Sequence, residues 1–132
     1  MFGKEHLERY LATDGEEGYE WRGTTIAILT TTGRKSGEKR STPLIYQEYG
    51  DAYLLVASQG GADDHPLWYK NLVADPEVEL QIKGDRFKAR ARTATPEERP
   101  GMWQTMTAVW PDYDVYTTRT SRVIPVVVLE RV

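Results

Sequence analysis

The sequence predicts a mainly β domain of the α+β kind, about six antiparallel strands with inserted helices, forming a small closed or split barrel. Three observations lead there. β-Branched and aromatic residues gather in short runs at residues 24–32, 44–49, 52–58, 78–82, 86–93 and 123–129. The turn signals Gly50-Asp51 and Lys83-Gly84-Asp85 join neighbouring runs in antiparallel order. Helical spacing of apolar residues appears only outside these runs, so the helices are insertions around one barrel.

With 132 residues the chain makes one domain, 1–132, with no room for a second core. Residues 4–13 bring Leu7, Tyr10 and Leu11 to helical spacing before the acidic stretch Asp14-Gly15-Glu16-Glu17-Gly18, a short amphipathic helix packed on the barrel. Residues 24–32 lack polar alternation and belong in the middle of the sheet. Residues 44–49 and 52–58 extend it into a three-stranded meander, which runs out at Ser58-Gln59-Gly60-Gly61, where adjacent glycines permit close backbone approach. Asp63 and Asp64 are caps for the next helix, Pro66 suits its first turn and Pro76 stops it. Within that helix Trp68 and Leu72, and Tyr69 and Val73, are four apart. Arg86, Lys88, Arg90 and Arg92 alternate along one strand and read as its wet face. Thr95-Pro96-Glu97-Glu98 has capping-box spacing ahead of a helix carrying Trp103, Met106, Thr107 and Trp110, which Pro111 breaks. A polar segment with Tyr113 and Tyr116 then precedes the last strand, whose Pro125 places that end at an edge or bulge.

Composition narrows the function. At 39% hydrophobic and 28% charged residues the chain is neither disordered nor fibrous. A net charge of −3 argues against a protein that coats nucleic acid. Between Thr32 and Ser41, however, Arg34, Lys35, Lys39 and Arg40 face Glu38 alone, and Gly33 and Gly37 let backbone N–H groups converge. Such a turn suits one anionic ligand, a phosphate above all, although a solvated hairpin tip has the same composition. The absence of cysteine excludes disulfides and thiolate chemistry and fits a cytoplasmic protein. No apolar run reaches membrane-spanning length, and residues 1–6 lack a signal-peptide core. His6 and His65 are too far apart in sequence to argue for a metal site. The Gly-x-Ser-x-Gly elbow, the P-loop and Gly-x-Gly-x-x-Gly are all missing. What remains, a basic loop, a Ser-Gln-Gly-Gly loop and an aromatic helix start at strand ends, suits a flat, phosphorylated redox cofactor.

The motifs Leu29-Thr30-Thr31-Thr32-Gly33-Arg34-Lys35-Ser36-Gly37, Ser41-Thr42-Pro43-Leu44, Val56-Ala57-Ser58-Gln59-Gly60-Gly61, Pro66-Leu67-Trp68-Tyr69-Lys70-Asn71-Leu72 and the stretch 119–128, in this order, resemble the deazaflavin-dependent nitroreductase family of actinobacteria. The resemblance implies a split β-barrel, flavin-reductase and pyridoxamine-phosphate-oxidase-like, that binds coenzyme F420, with FMN as the runner-up cofactor. It implies a hydride passed from the reduced deazaflavin to an electron-poor small molecule, a quinone, enone or nitroaromatic. By motif, Arg34, Lys35, Ser36, Gly37 and Arg40 would meet the phosphate and polyglutamate tail. Thr42, Pro43, Leu44, Ile45, Val56, Ala57, Ser58, Gln59 and Gly60 would line the deazaflavin, and Leu67, Trp68, Tyr69 and Asn71 would close around it. Ser58, Tyr113 and Tyr116 are the catalytic candidates, orienting the acceptor oxygen, with one of them or solvent supplying a proton. Gln59 replaces a common lysine and Trp110 replaces a tyrosine of the nitroimidazole-activating member, which argues against that drug activity. The expected partners are the acceptor alone, with no nucleic acid and no transmembrane segment. Peripheral membrane contact and the choice between monomer and homodimer stay open, as does a non-catalytic cofactor-binding module.

Overall fold

A computed structural model describes residues 3–132, so the first two positions of the expected 1–132 unit lie outside the described residues. Among the described residues four α-helices and eight strands, with one 3-10 turn at Gln59–Gly61, follow in the order α1 (Lys4–Thr13), β1 (Glu20–Trp21), β2 (Thr24–Thr32), β3 (Lys39–Ile45), β4 (Gln47–Tyr49), β5 (Ala52–Val56), α2 (Leu67–Ala74), β6 (Glu77–Ile82), β7 (Asp85–Thr93), α3 (Arg99–Val109), α4 (Asp112–Tyr116) and β8 (Val126–Arg131). All pairings are antiparallel, in the order β1-β2-β6-β7-β8-β5-β4, with β3 also on β2.

This sheet curls until its ends are one piece of chain. β3 pairs with β2 along Ile26↔Ile45 to Thr32↔Lys39, then the chain passes Tyr46 and pairs as β4 with β5 along Gln47↔Leu54 to Tyr49↔Ala52. Continuing the β4–β5 register would set Ile45 opposite Val56, but there the ladder has stopped because β3 belongs to β2. The result is a split barrel, open between β3 and the end of β5.

Several expectations change. The predicted run 44–49 is two strands divided at Tyr46, so the three-stranded meander is broken, and the first of them starts earlier, at Lys39. The third strand stops at Val56 rather than Ser58. The last strand begins only after Pro125 and lies inside the sheet between β5 and β7, so Pro125 marks an entrance rather than an edge. The polar segment after Pro111 contains the helix α4. Asp63 and Asp64 do not cap α2, whose N-terminus carries no side-chain cap. Glu98 and Thr95 do exchange capping-box hydrogen bonds, Thr95 N to Glu98 Oε1 at 2.8 Å and Glu98 N to Thr95 Oγ1 at 3.3 Å.

Strand alternation divides the core in two. Ile26, Ile28, Leu54, Val56, Val126 and Val128 pack under α1, α3 and α4 against Tyr10, Met102, Met106 and Tyr113. Their neighbours Ala27, Leu29, Leu55, Val127 and Leu129 join Val78, Leu80, Ala89 and Ala91 around Leu72 of α2. Truncating any of these large buried side chains costs about 2–5 kcal/mol. Arg86, Lys88, Arg90 and Arg92 are exposed as expected, Arg86 pairing with Asp14 and Arg92 with Glu98 and Glu130. Among the described residues no helix is long and apolar enough to cross a membrane.

Candidate functional site

Two clefts lie along the split. The first, of about 510 Å³, runs between β3 and the end of β5, lined by Thr42, Leu44 and Ile45 on one side and Val56, Ser58, Gln59 and Gly60 on the other. Leu67 and Trp68 of α2, Tyr113 and Tyr116 of α4, and Trp21, Pro66 and Trp110 complete it. The second, of about 790 Å³, opens under the loop between β2 and β3 and is lined by Arg34, Lys35, Ser36, Lys39, Arg40 and Asn71, among others. Thr42, Leu67 and Trp68 line both clefts, so the two are contiguous.

The basic loop is shaped by its own backbone. Gly33 N–H donates to Glu38 O and Gly37 N–H to Gly33 O, both at 2.8 Å, and Gly37 turns at φ 71°, where a side chain would be strained. One buried amide ties the loop to α2: Asn71 Oδ1 accepts from Arg34 N at 3.2 Å and Arg34 Nη1 at 3.4 Å, while its Nδ2 donates to Thr31 Oγ1 at 3.3 Å. Asn71 is only 6% exposed, so it holds the loop from beneath rather than meeting a ligand broadly. Arg34, Lys35 and Arg40 remain exposed, and the Arg40–Glu38 pair at 3.6 Å leaves Arg40 free to turn to an anion.

The ring-sized cleft is built from buried parts. Ile45, Val56, Ser58 and Tyr113 are 5–9% exposed. Tyr113 packs against Trp103 and Tyr116, with ring centres 6.2 and 6.1 Å apart, and Trp103 Nε1 donates to Asp114 Oδ1 at 2.7 Å, joining α3 to α4. Burial, helped by Tyr116, raises the Tyr113 phenol above its ordinary range. Tyr116 Oη accepts from Trp110 Nε1 at 3.3 Å, and Trp110 in turn lies 5.4 Å from Trp21. Opposite, Gln59, Gly60 and Gly61 have φ of 46°, 63° and 83°. A Cβ on Gly61 would sit 2.7 Å from Tyr116 O, so glycine is what lets this loop touch α4.

Most of the sequence-predicted residues therefore meet at the two clefts. Gly37, Pro43, Ala57 and Tyr69 line neither: Gly37 turns the loop, Pro43 and Ala57 are buried, and Tyr69 Oη pairs with Thr93 Oγ1 at 2.8 Å. Trp21, Pro66, Thr31, Gly33, Lys39 and Ser41 line a cleft without having been assigned a contact, although all but Trp21 stand in the motifs or the basic loop, and Trp110 does so beyond its role as a departure from the motif. Lys39 was legible as charge, whereas Trp21 lies far from every motif. Among the described residues no cluster of His, Cys, Asp and Glu could hold a metal ion.

A long ligand with an anionic end and a flat, apolar end fits this pair of clefts. Residues 2–131 match the family model described as F420H(2)-dependent quinone reductase. An F420H(2)-dependent quinone reductase of Mycobacterium tuberculosis is 41% identical over 130 residues, 96% of this chain and 87% of the relative. A solved structure described as an F420-H2 dependent reductase, FDR-A, is 41% identical, with a TM-score of 0.74 over 83% of this chain and 95% of its own. Another, described as a domain-swapped dimer, is 40% identical, with a TM-score of 0.77 over 96% of this chain and 95% of its own. A pyridoxamine 5′-phosphate oxidase fold from Listeria innocua, 10% identical, superposes with a TM-score of 0.57 over 97% of this chain and 94% of its own, a likeness of fold alone.

Proposed function

The chain belongs to the F420H(2)-dependent quinone reductase family, and from that membership we propose how its residues divide the work of reducing a quinone. It is an oxidoreductase using coenzyme F420. Reduced F420, when bound, supplies the hydride. Arg34, Lys35, Ser36 and Arg40 bind the anionic end, the arginines by bidentate hydrogen bonds. Thr42, Leu44, Ile45, Val56 and Gln59 hold the flat end, and Leu67 and Trp68, which line both clefts, cover the join and keep water out.

Ser58, Tyr113 and Tyr116 face the acceptor. The raised pKa of Tyr113 means that its phenol keeps its proton, so Tyr113 donates a hydrogen bond to the quinone oxygen and solvent supplies the proton that accompanies the hydride. Trp21 and Trp110 offer the acceptor a stacking wall. The similarity to a domain-swapped dimer supports a homodimer, and the whole 1–132 chain acts as one cofactor-binding domain.

The observation that carries this reading is the continuity of a cationic cleft with an apolar one through Thr42, Leu67 and Trp68. Titrating the protein into F420 should give saturable binding, and mixing it with reduced F420 and menadione should oxidise the cofactor. The absence of both binding and oxidation would overturn the reading, and a protein that purified yellow with FMN would make FMN the cofactor instead.

A further inference from the structure

Arg122 lines neither cleft and has no part in the work described above. It sits between α4 and β8, half-buried, and its guanidinium is spent on the backbone of one strap, residues 57–62. Nε donates to Ala62 O at 2.7 Å, Nη2 to Ser58 O at 2.7 Å and Nη1 to Ala57 O at 3.2 Å. Nη1 also lies 3.1 Å from His65 Nδ1. A guanidinium can only donate, so Nδ1 accepts and His65 is the neutral tautomer with its proton on Nε2. Arg119 Nη1 adds a bond to Gly60 O at 3.2 Å.

The strap needs such anchors. β5 ends at Val56, and Gln59, Gly60 and Gly61 are left-handed in succession, the first of them without the freedom of a glycine. Backbone of this kind persists only where its surroundings over-determine it. Ser58, Gln59 and Gly60 are also what the strap contributes to the ring-sized cleft.

We propose that Arg122 is a positioning residue for hydride transfer, which fixes the Ser58–Gly60 wall of the cleft by spanning both ends of the strap, with neutral His65 as its last acceptor. This rests on the F420 reading above. Lysine cannot replace it, because a single ammonium lacks the planar fork that reaches Ala57, Ser58 and Ala62 together. His65 is faced by Arg122, by Asp64 and its partner Lys70, and by the Tyr69 ring at 4.9 Å. Burial first, and then Arg122, hold the imidazole below its ordinary pKa. Protonation would remove the acceptor and set one cation against another, so the anchor is whole at neutral pH and loosens as the medium turns acidic.

Full-length Arg122→Lys and His65→Gln separate this role from a merely structural one. Amide hydrogen exchange without cofactor should show residues 57–62 of Arg122→Lys opening on the order of tenfold faster while β8 is unchanged. Turnover with reduced F420 and menadione should fall on the order of tenfold, since small misplacements are costly at the reacting centre, while F420 affinity, set by the basic cleft, stays within about threefold. In His65→Gln the acid limb of the pH–turnover profile should vanish. Wild-type exchange of the strap in Arg122→Lys, or wild-type turnover with a loosened strap, overturns the proposal. If Arg122→Lys fails to fold, the His65→Gln profile decides, and an unchanged acid limb overturns it. A wild-type protein that neither binds nor oxidises F420 sinks the functional reading instead, and the exchange experiment, run without cofactor, still tests the anchor.

Discussion

The two clefts adjoin, yet they are held open by opposite means. Around the apolar cleft nearly every wall is braced by a half-buried neighbour: Tyr113 by Trp103 and Tyr116, the 57–62 strap by Arg122, Gly61 by its close approach to Tyr116. The basic cleft has exposed arginines and lysines on a loop tied down by one buried amide, Asn71. On the proposed assignment of the clefts, the difference matches what each end of the ligand asks for. A reacting ring must be placed within fractions of an ångström. A charged tail is attracted from any of several directions, so cations on mobile stems suffice. Rigidity is concentrated where geometry decides the rate, and charge where it decides affinity.

The comparison can be broken by experiment, starting with the largest effect. Gly61→Ala places a Cβ 2.7 Å from Tyr116 O at a φ of 83° and should lower stability by about 2 kcal/mol or more, read from the denaturant midpoint, with turnover lost alongside. A wild-type midpoint would mean that the braced cleft is not braced there. Arg34→Ala or Arg40→Ala should weaken F420 binding by about 1–3 kcal/mol in a fluorescence titration while melting behaviour barely moves. Loss of folding in either would erase the distinction between the clefts. Tyr113→Phe and Tyr116→Phe keep the ring and delete the hydroxyl, and should reduce turnover on the order of tenfold at unchanged F420 affinity. Because burial raises the folded Tyr113 phenol above the free value, turnover of Tyr116→Phe should show no loss from Tyr113 ionisation as pH rises through about 10, where an ordinary tyrosine ionises. Lys35→Ala should cost least, under about 1 kcal/mol of binding, since a flexible point charge is easily replaced by its neighbours.

How much of this was legible in the sequence depends on the range of the interaction. The basic loop could be read, because its charges and glycines are consecutive. So could α1, α2, β2 and the β6–β7 hairpin, whose periodicity and turns are local. The break at Tyr46 could not: residues 44–49 read as one β-competent run, and only competition between β2 and β5 for it divides it. The helix α4 hid in a stretch too short and polar for a helical stripe. Arg122 looked like one more charge, since its acceptors lie 57 to 65 residues away. Tyr69 was read from its motif as a neighbour of Trp68, and in the fold its hydroxyl pairs with Thr93, outside both clefts.

The passage of the chain through Tyr46 also sets a direction of travel. Beside it the two edges of the split are one covalent strand, and a residue of extended chain spans only about 3.3–3.6 Å, so the gap cannot widen at that end without unpicking the β2–β3 or β4–β5 ladder. At the other end, between the β2–β3 loop and Leu67, which is 66% exposed, nothing covalent joins the lips. The molecule thus has a hinge end at Tyr46 and a mouth at the other end of the split, where the cations of the loop stand.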